Sequence, residues 1–286
     1  MSWIGYSLLM FLSSVALYLV VRKSSLVKVP QKTINLAMFG IPLLAFLVMG
    51  IFEDGSYSVS MGQLISIALI ALLFAYGGNK ASLKAIGIAP NPGYSLVLSK
   101  SYVLFTTIVA VLFMNGDISV RSVIAILLIV ATSALITVTP KTVEHVKDNK
   151  WVVLSFVSFF SWGMLSLTSK YLFNHGLATT SFLIFLYLFV TLTIIVYDKV
   201  KLSEFKKIGK QMTLLLLATG VFSTLFNLGQ FQAIRLAPNV GYVNAINAAS
   251  ISLVTILAVI FFKDELTLRK AIGVFGVTVG LVLLLI

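Results

Sequence analysis

Apolar residues in this chain fall in long unbroken runs, with neither the strict alternation of a strand nor a heptad seam. Ten runs lie near 3–21, 34–52, 60–84, 94–114, 120–139, 151–172, 179–197, 211–234, 241–262 and 268–286. Each has about the 20 residues that an α-helix needs to cross a hydrocarbon core of about 30 Å. Turn-forming and charged clusters separate them, among them VKVPQK, FEDGSYS, TPKTVEHVKDNK and DKVKLSEFKKIGK. The pattern predicts an all-α integral membrane bundle of ten transmembrane helices.

The runs repeat. Sliding the chain along itself by 148 residues places Ala89, Pro90, Asn91, Gly93 and Tyr94 on Ala237, Pro238, Asn239, Gly241 and Tyr242. The same offset, without a gap, aligns Trp3 with Trp151, Asn79 with Asn227, Thr107 with Thr255 and Arg121 with Arg269. The division this predicts is a first five-helix repeat over 1–140, a cytoplasmic linker over 141–150 and a second five-helix repeat over 151–286. Five spans per copy is an odd number, so the second copy enters the membrane upside down. The repeats are therefore inverted, and two related halves around a midplane site are an architecture suited to transport.

Charge placement sets the expected orientation. Of the 21 basic residues, Arg121, Lys170 and Arg235 alone fall in the even-numbered connections, and Lys100 lies inside a span. All the others fall in the odd-numbered connections, which the positive-inside rule places in the cytoplasm. Both termini are then extracytoplasmic, in a multi-pass protein of the cell (plasma) membrane. This distribution also explains the net charge of +12 through topology and anionic headgroups, without a nucleic-acid partner. With 59% hydrophobic and 10% charged residues, the chain has too few charges to cover a soluble domain. Trp3 to Val21 has no basic leader and aligns with a later helix, so no cleavable signal is expected.

Two copies of an Ala-Pro turn followed by Gly-Tyr, then a span, an acidic turn and a last apolar helix, resemble the drug/metabolite transporter (DMT) superfamily. The second copy is the fuller match, with SWGMLSLTSKYL in the sixth span and QAIRLAPNVGYVNAINAASISLVTILAVIFFKDELTLRK in the eighth to tenth. It looks like an EamA-type unit. The first copy departs from it, with Ser14-Val15 where the second has Trp162-Gly163, and Gly116-Asp117 where the second has Asp264-Glu265. The resemblance implies a ten-helix, EamA-like inverted-repeat bundle with a central cavity. It also implies export of amino acids, other metabolites or drugs, driven by protons or by exchange.

Polar residues at lipid depth are expensive and normally face a bundle interior. Asn244 and Asn247 share one side of the ninth span with Thr255, where they either line a cavity or pair between helices. Ser99 and Lys100 lie on the inverted partner of that face, in the fourth span. Lys100 is the one charge deep in a span. It either snorkels to the interface or meets a substrate carboxylate or phosphate. Asn79 and Asn227 occupy equivalent places in the third and eighth spans, and Gln230 continues the face of Asn227. Trp162 heads the aromatic wall candidates, which include Tyr6, Tyr76, Tyr102 and Tyr187. Lys80 and Lys84 read as helix-end anchors. Gly276 and Gly280 form a small-xxx-small pair that suits either the fifth span or a second protomer.

The nine acidic residues all fall in connections. The absence of an intramembrane carboxylate disfavours an exporter that pairs one with lipophilic cations and protons. With no cysteine and only His145 and His175, the chain offers no metal centre, and it has no phosphate-binding loop. No cofactor and no enzymatic activity are expected. The expectation is a secondary transporter of a small polar metabolite, an amino acid or related zwitterion or anion, acting by alternating access in the export direction. Proton or counter-substrate coupling would drive it, in a monomer or a homodimer. The rival readings are a multidrug exporter, a lipid-headgroup flippase, and a channel or accessory protein.

Overall fold

The computed structural model describes residues 1–53, 57–89, 92–138, 149–199, 209–263 and 265–286. Pro90 and Asn91 of the first repeat's turn, 139–148 of the expected linker (with His145), 200–208 of the fourth odd connection and Asp264 lie outside them. Among the described residues the structure is all-helical, and ten helices are long and apolar enough to cross a membrane. The first two spans are α1 (Trp3–Leu26) and α2 (Gln31–Ile51). The third is compound, with α3 (Met61–Leu69), a π-helical turn (Ile70–Tyr76) and α4 (Gly77–Ile88). The fourth comprises α5 (Pro92–Lys100) and α6 (Tyr102–Phe113), interrupted at Ser101, and α7 (Val120–Thr137) is the fifth. The second copy is uninterrupted: α8 (Lys150–Asn174), α9 (Thr179–Tyr197), α10 (Lys210–Leu236), α11 (Val240–Phe262) and α12 (Leu268–Leu285).

Local chemistry accounts for several helix ends. Ser60 caps α3 in a reciprocal arrangement with Gln63, while Ser119 and Thr267 cap α7 and α12. Pro238 follows the end of α10 and cannot continue it. Lys170 donates to the carbonyls of Arg235 and Ala237, both at 2.9 Å, where the last turn of α10 leaves acceptors unpaired.

The packing obeys the exchange of the two copies. The first span lies on the eighth as the sixth lies on the third. The first also lies on the ninth as the sixth lies on the fourth. The fifth–tenth, second–seventh and fourth–ninth pairs map onto themselves. The pattern is broken where α11 packs on α7, whereas α5 and α6 make no comparable contact with α12, and where α8 packs on α10, whereas α1 makes no comparable contact with α4.

Small residues set the closest approaches. A Cβ on Gly276 would collide with the Thr132 side chain, and one on Gly280 would come within 2.6 Å of Ile129 Cγ1, both on α7. The small-xxx-small pair is therefore occupied by the fifth span of the same chain. On α10, a Cβ on Gly229 would meet the backbone of Tyr6 and Met10 of α1 at 2.8 and 2.7 Å. These approaches replace side-chain bulk with backbone-to-backbone dispersion contact, the main attraction between helices already surrounded by lipid.

A candidate substrate cavity between the repeats

The helices enclose a cavity of about 210 Å³, lined from both copies. That is far more than the roughly 10–15 Å³ that one water requires. Of the eight residues singled out in the sequence, Asn79, Lys100, Trp162, Asn227, Gln230 and Asn247 line it. Ser99 and Asn244 do not. Ser99 is buried and donates to the Ser95 carbonyl of its own helix at 2.8 Å. Asn244 is fully buried, donating to Thr106 Oγ1 at 3.0 Å and accepting from Ser166 Oγ at 3.3 Å. It thus joins α11 to α6 and α8, the packing role the sequence had left open beside the cavity role.

Among the described residues, Lys100 is the one charged residue in the lining, which holds no carboxylate. It ends α5, and its ammonium lies 5.5 Å from the centre of the Tyr18 ring, a cation–π geometry. Asn227 spends its side-chain N–H on the Ser223 carbonyl, at 2.8 Å. Its amide oxygen is left as an acceptor, and Gln230 adds a second amide. The walls are aromatic: Tyr102 meets Trp162 edge-on at 6.1 Å, and Tyr187 packs against Phe39 and Phe46 at 5.6 and 5.3 Å. The cavity therefore combines one cation, several neutral amides and hydroxyls, and apolar walls. That chemistry suits a small solute with an anionic group and an apolar portion.

Sequence reasoning passed over Tyr18, Phe39 and Ser166, which come from three different helices. Among the aromatic candidates, Tyr102, Trp162 and Tyr187 reach the cavity, Tyr76 reaches a neighbouring space, and Tyr6 reaches neither. That neighbouring space is a vestibule of about 310 Å³ that shares Phe39 and Asn79 with the cavity. Its other walls include Gln31, Lys80 and Asp198, near helix ends that lead into odd-numbered connections. Among the described residues, no three metal-ligating side chains converge.

The opposite face is sealed by contacts between two even-numbered connections. The Asp117 N–H donates to the Pro238 carbonyl at 3.3 Å, and the Asp117 carbonyl accepts from Asn239 Nδ2 at 3.2 Å and Tyr242 Oη at 2.9 Å. A Cβ on Gly241 would collide with the Thr107 side chain. The same face thus brings α11 directly onto α6. The vestibule lies on the other, odd-connection side.

Comparison with known proteins agrees with this architecture. Residues 149–286 match the model of the EamA-like transporter family. No curated protein matches the sequence. A crystal structure of another protein superposes with a TM-score of 0.78 at 12% identity, covering 98% of this chain and 96% of its own. At that identity the likeness concerns the fold alone.

Proposed function

The chain belongs to the EamA-like transporter family and is a multi-pass integral membrane transporter, and from that premise we propose that its cargo is a small polar metabolite with an anionic group. An amino acid or a related zwitterion or anion is the leading class. The observation that carries this is the lining of the central cavity, where Lys100 is the single charge among the described residues, beside the amides of Asn79, Asn227, Gln230 and Asn247. A lipophilic cation would bring positive charge beside Lys100 with no carboxylate to offset it, an unfavourable pairing at low dielectric.

The mechanism we propose is alternating access. The two five-helix units rock about the cavity, and the seal among Asp117, Asn239 and Tyr242 breaks as the odd-connection face closes. Lys100 pairs with the cargo's anionic group, while Tyr102, Trp162 and Tyr187 hold its apolar portion. The direction is export, the odd connections face the cytoplasm, and a proton gradient or a counter-substrate supplies the driving force.

Counterflow in proteoliposomes tests the assignment, with amino acids, organic acids, phosphates and lipophilic cations as probes. Exchange of carboxylate-bearing solutes is the expected result. Exchange of lipophilic cations alone would reverse the cargo assignment, and flux without counterflow would indicate a channel.

A further inference from the structure

The vestibule holds a cluster that the central cavity lacks. Tyr76 Oη donates to Asp198 Oδ1 at 3.0 Å, Lys80 Nζ donates to Tyr76 Oη at 3.0 Å, and Lys80 Nζ lies 3.5 Å from Asp198 Oδ1. Asp198 is 22% exposed and Lys80 62%. The cluster ties the third span to the end of the seventh, and it forms part of the wall of a space that shares Asn79 and Phe39 with the cavity.

Three features distinguish this cluster from an ordinary helix anchor. The π-helical turn Ile70–Tyr76 ends at Tyr76, and Gly77 N–H bonds back to Leu72. The inserted residue rotates the rest of the span by roughly 100°, which brings Tyr76, Asn79 and Lys80 to the vestibule. The cluster also has no counterpart in the other repeat, where the 148-residue offset places Thr224, Leu228 and Gly50 at the positions of Tyr76, Lys80 and Asp198. A scaffold contact required by the inverted symmetry would occur at both faces. Finally, Lys80 is exposed and Asp198 only part-buried, so solvent screens the pair and little is lost when a competing ion displaces one partner.

We propose that the vestibule is a loading site for a zwitterion, in which Asp198 receives the cargo's ammonium group and Lys80 its carboxylate. The cargo then passes Asn79 to Lys100. This rests on the polar-metabolite reading of the central cavity and adds the recognition that the cavity does not supply. Lys100 selects for an anion, but a site for the cationic end of an amino acid requires a carboxylate, and among the described residues Asp198 is the one that borders the route. Because the cluster exists on one face, selection for the ammonium group acts when cargo is loaded from that face.

The test uses the full chain in sided proteoliposomes and two probe pairs that differ by one ammonium group, leucine with isocaproate and phenylalanine with phenylpropanoate. The wild type should show a lower half-saturation concentration for the amino acid of each pair when loaded from the odd-connection face. Asp198→Asn should reduce that preference by about tenfold, equivalent to one charge-assisted hydrogen bond. Tyr76→Phe, which keeps the ring but frees the carboxylate from its phenol, should shift the preference in a folded protein even if Asp198→Asn fails to assemble. An unchanged preference in a folded Asp198→Asn or Tyr76→Phe protein overturns the proposal. Wild-type transport of carboxylates with no preference for the ammonium group overturns it too, while leaving the central-cavity reading standing. Transport of neither member of either pair sinks the central-cavity reading itself.

Discussion

Asn239 holds two turns together: its Nδ2 donates to the Asp117 carbonyl at 3.2 Å, while its Oδ1 accepts from the Gly241 N–H at 2.8 Å and caps α11. One side chain thus starts a helix and closes the even-connection face. Asn239→Ala should lower stability by about 1 kcal/mol through the lost cap. It should also loosen the seal. The chain has no cysteine, so a single Phe226→Cys label in the cavity wall reports access cleanly. Membrane-impermeant thiol reagents should modify it from the odd-connection face, and Asn239→Ala should speed modification from the opposite face. Equal rates with and without the substitution would count against the seal.

Gly276 and Thr132 are in such close contact that added volume has nowhere to go. Gly276→Val should destabilise the protein by about 1–3 kcal/mol, the usual range for overpacking. Thr132→Ala in the same chain should recover part of the loss, because the two positions share one contact. Thermal unfolding of the two single variants and the double variant in one detergent measures the coupling.

Asn244 and Asn247 should separate stability from binding. Asn244→Ala removes an amide that does not itself line the cavity but bonds Thr106 and Ser166, and should cost about 1–2 kcal/mol. Its half-saturation concentration for cargo should match wild type. Asn247→Ala opens the cavity wall and should raise that concentration with a smaller loss of stability. Melting curves paired with counterflow kinetics distinguish the two patterns, and the same pattern from both variants would refute the assignment.

Lys100 should control stabilisation by cargo. A ligand at about 100 times its Kd raises stability by about 2.7 kcal/mol, visible as a thermal shift. Carboxylate-bearing solutes should produce that shift in the wild type and lose it in Lys100→Ala. A shift produced only by lipophilic cations and unchanged in Lys100→Ala would remove Lys100 from the site and return it to an interfacial anchor.

Much of the candidate site was legible as a set of residues, because intramembrane amides and a lone lysine are conspicuous against an apolar background. Their grouping was less legible. Asn244 and Asn247 are three residues apart on one helix, yet one is consumed by neighbouring helices and the other faces open space. The angular difference between them is small, and the rotation of α11 about its own axis decides the outcome. Lys80 read as a helix-end anchor because it lies near the end of the third span, whereas the carboxylate that it and Tyr76 both contact lies 122 residues beyond Tyr76. The π-helical turn left no periodic signal, since an all-round apolar helix has no stripe to shift.

Ten spans, the repeat offset and the side bearing the basic connections could all be read from local chemistry. The transfer free energy of about 20 consecutive side chains is a property of those residues and the bilayer, whatever their neighbours. Packing in three dimensions settled what sums over single segments cannot contain: that α12 lies its glycines on α7, that the even-connection face is closed, and that Tyr76, Lys80 and Asp198 meet at one mouth only. Those outcomes depend on helix rotation and on one inserted residue in the third span, and lipid-facing hydrophobicity is nearly indifferent to both.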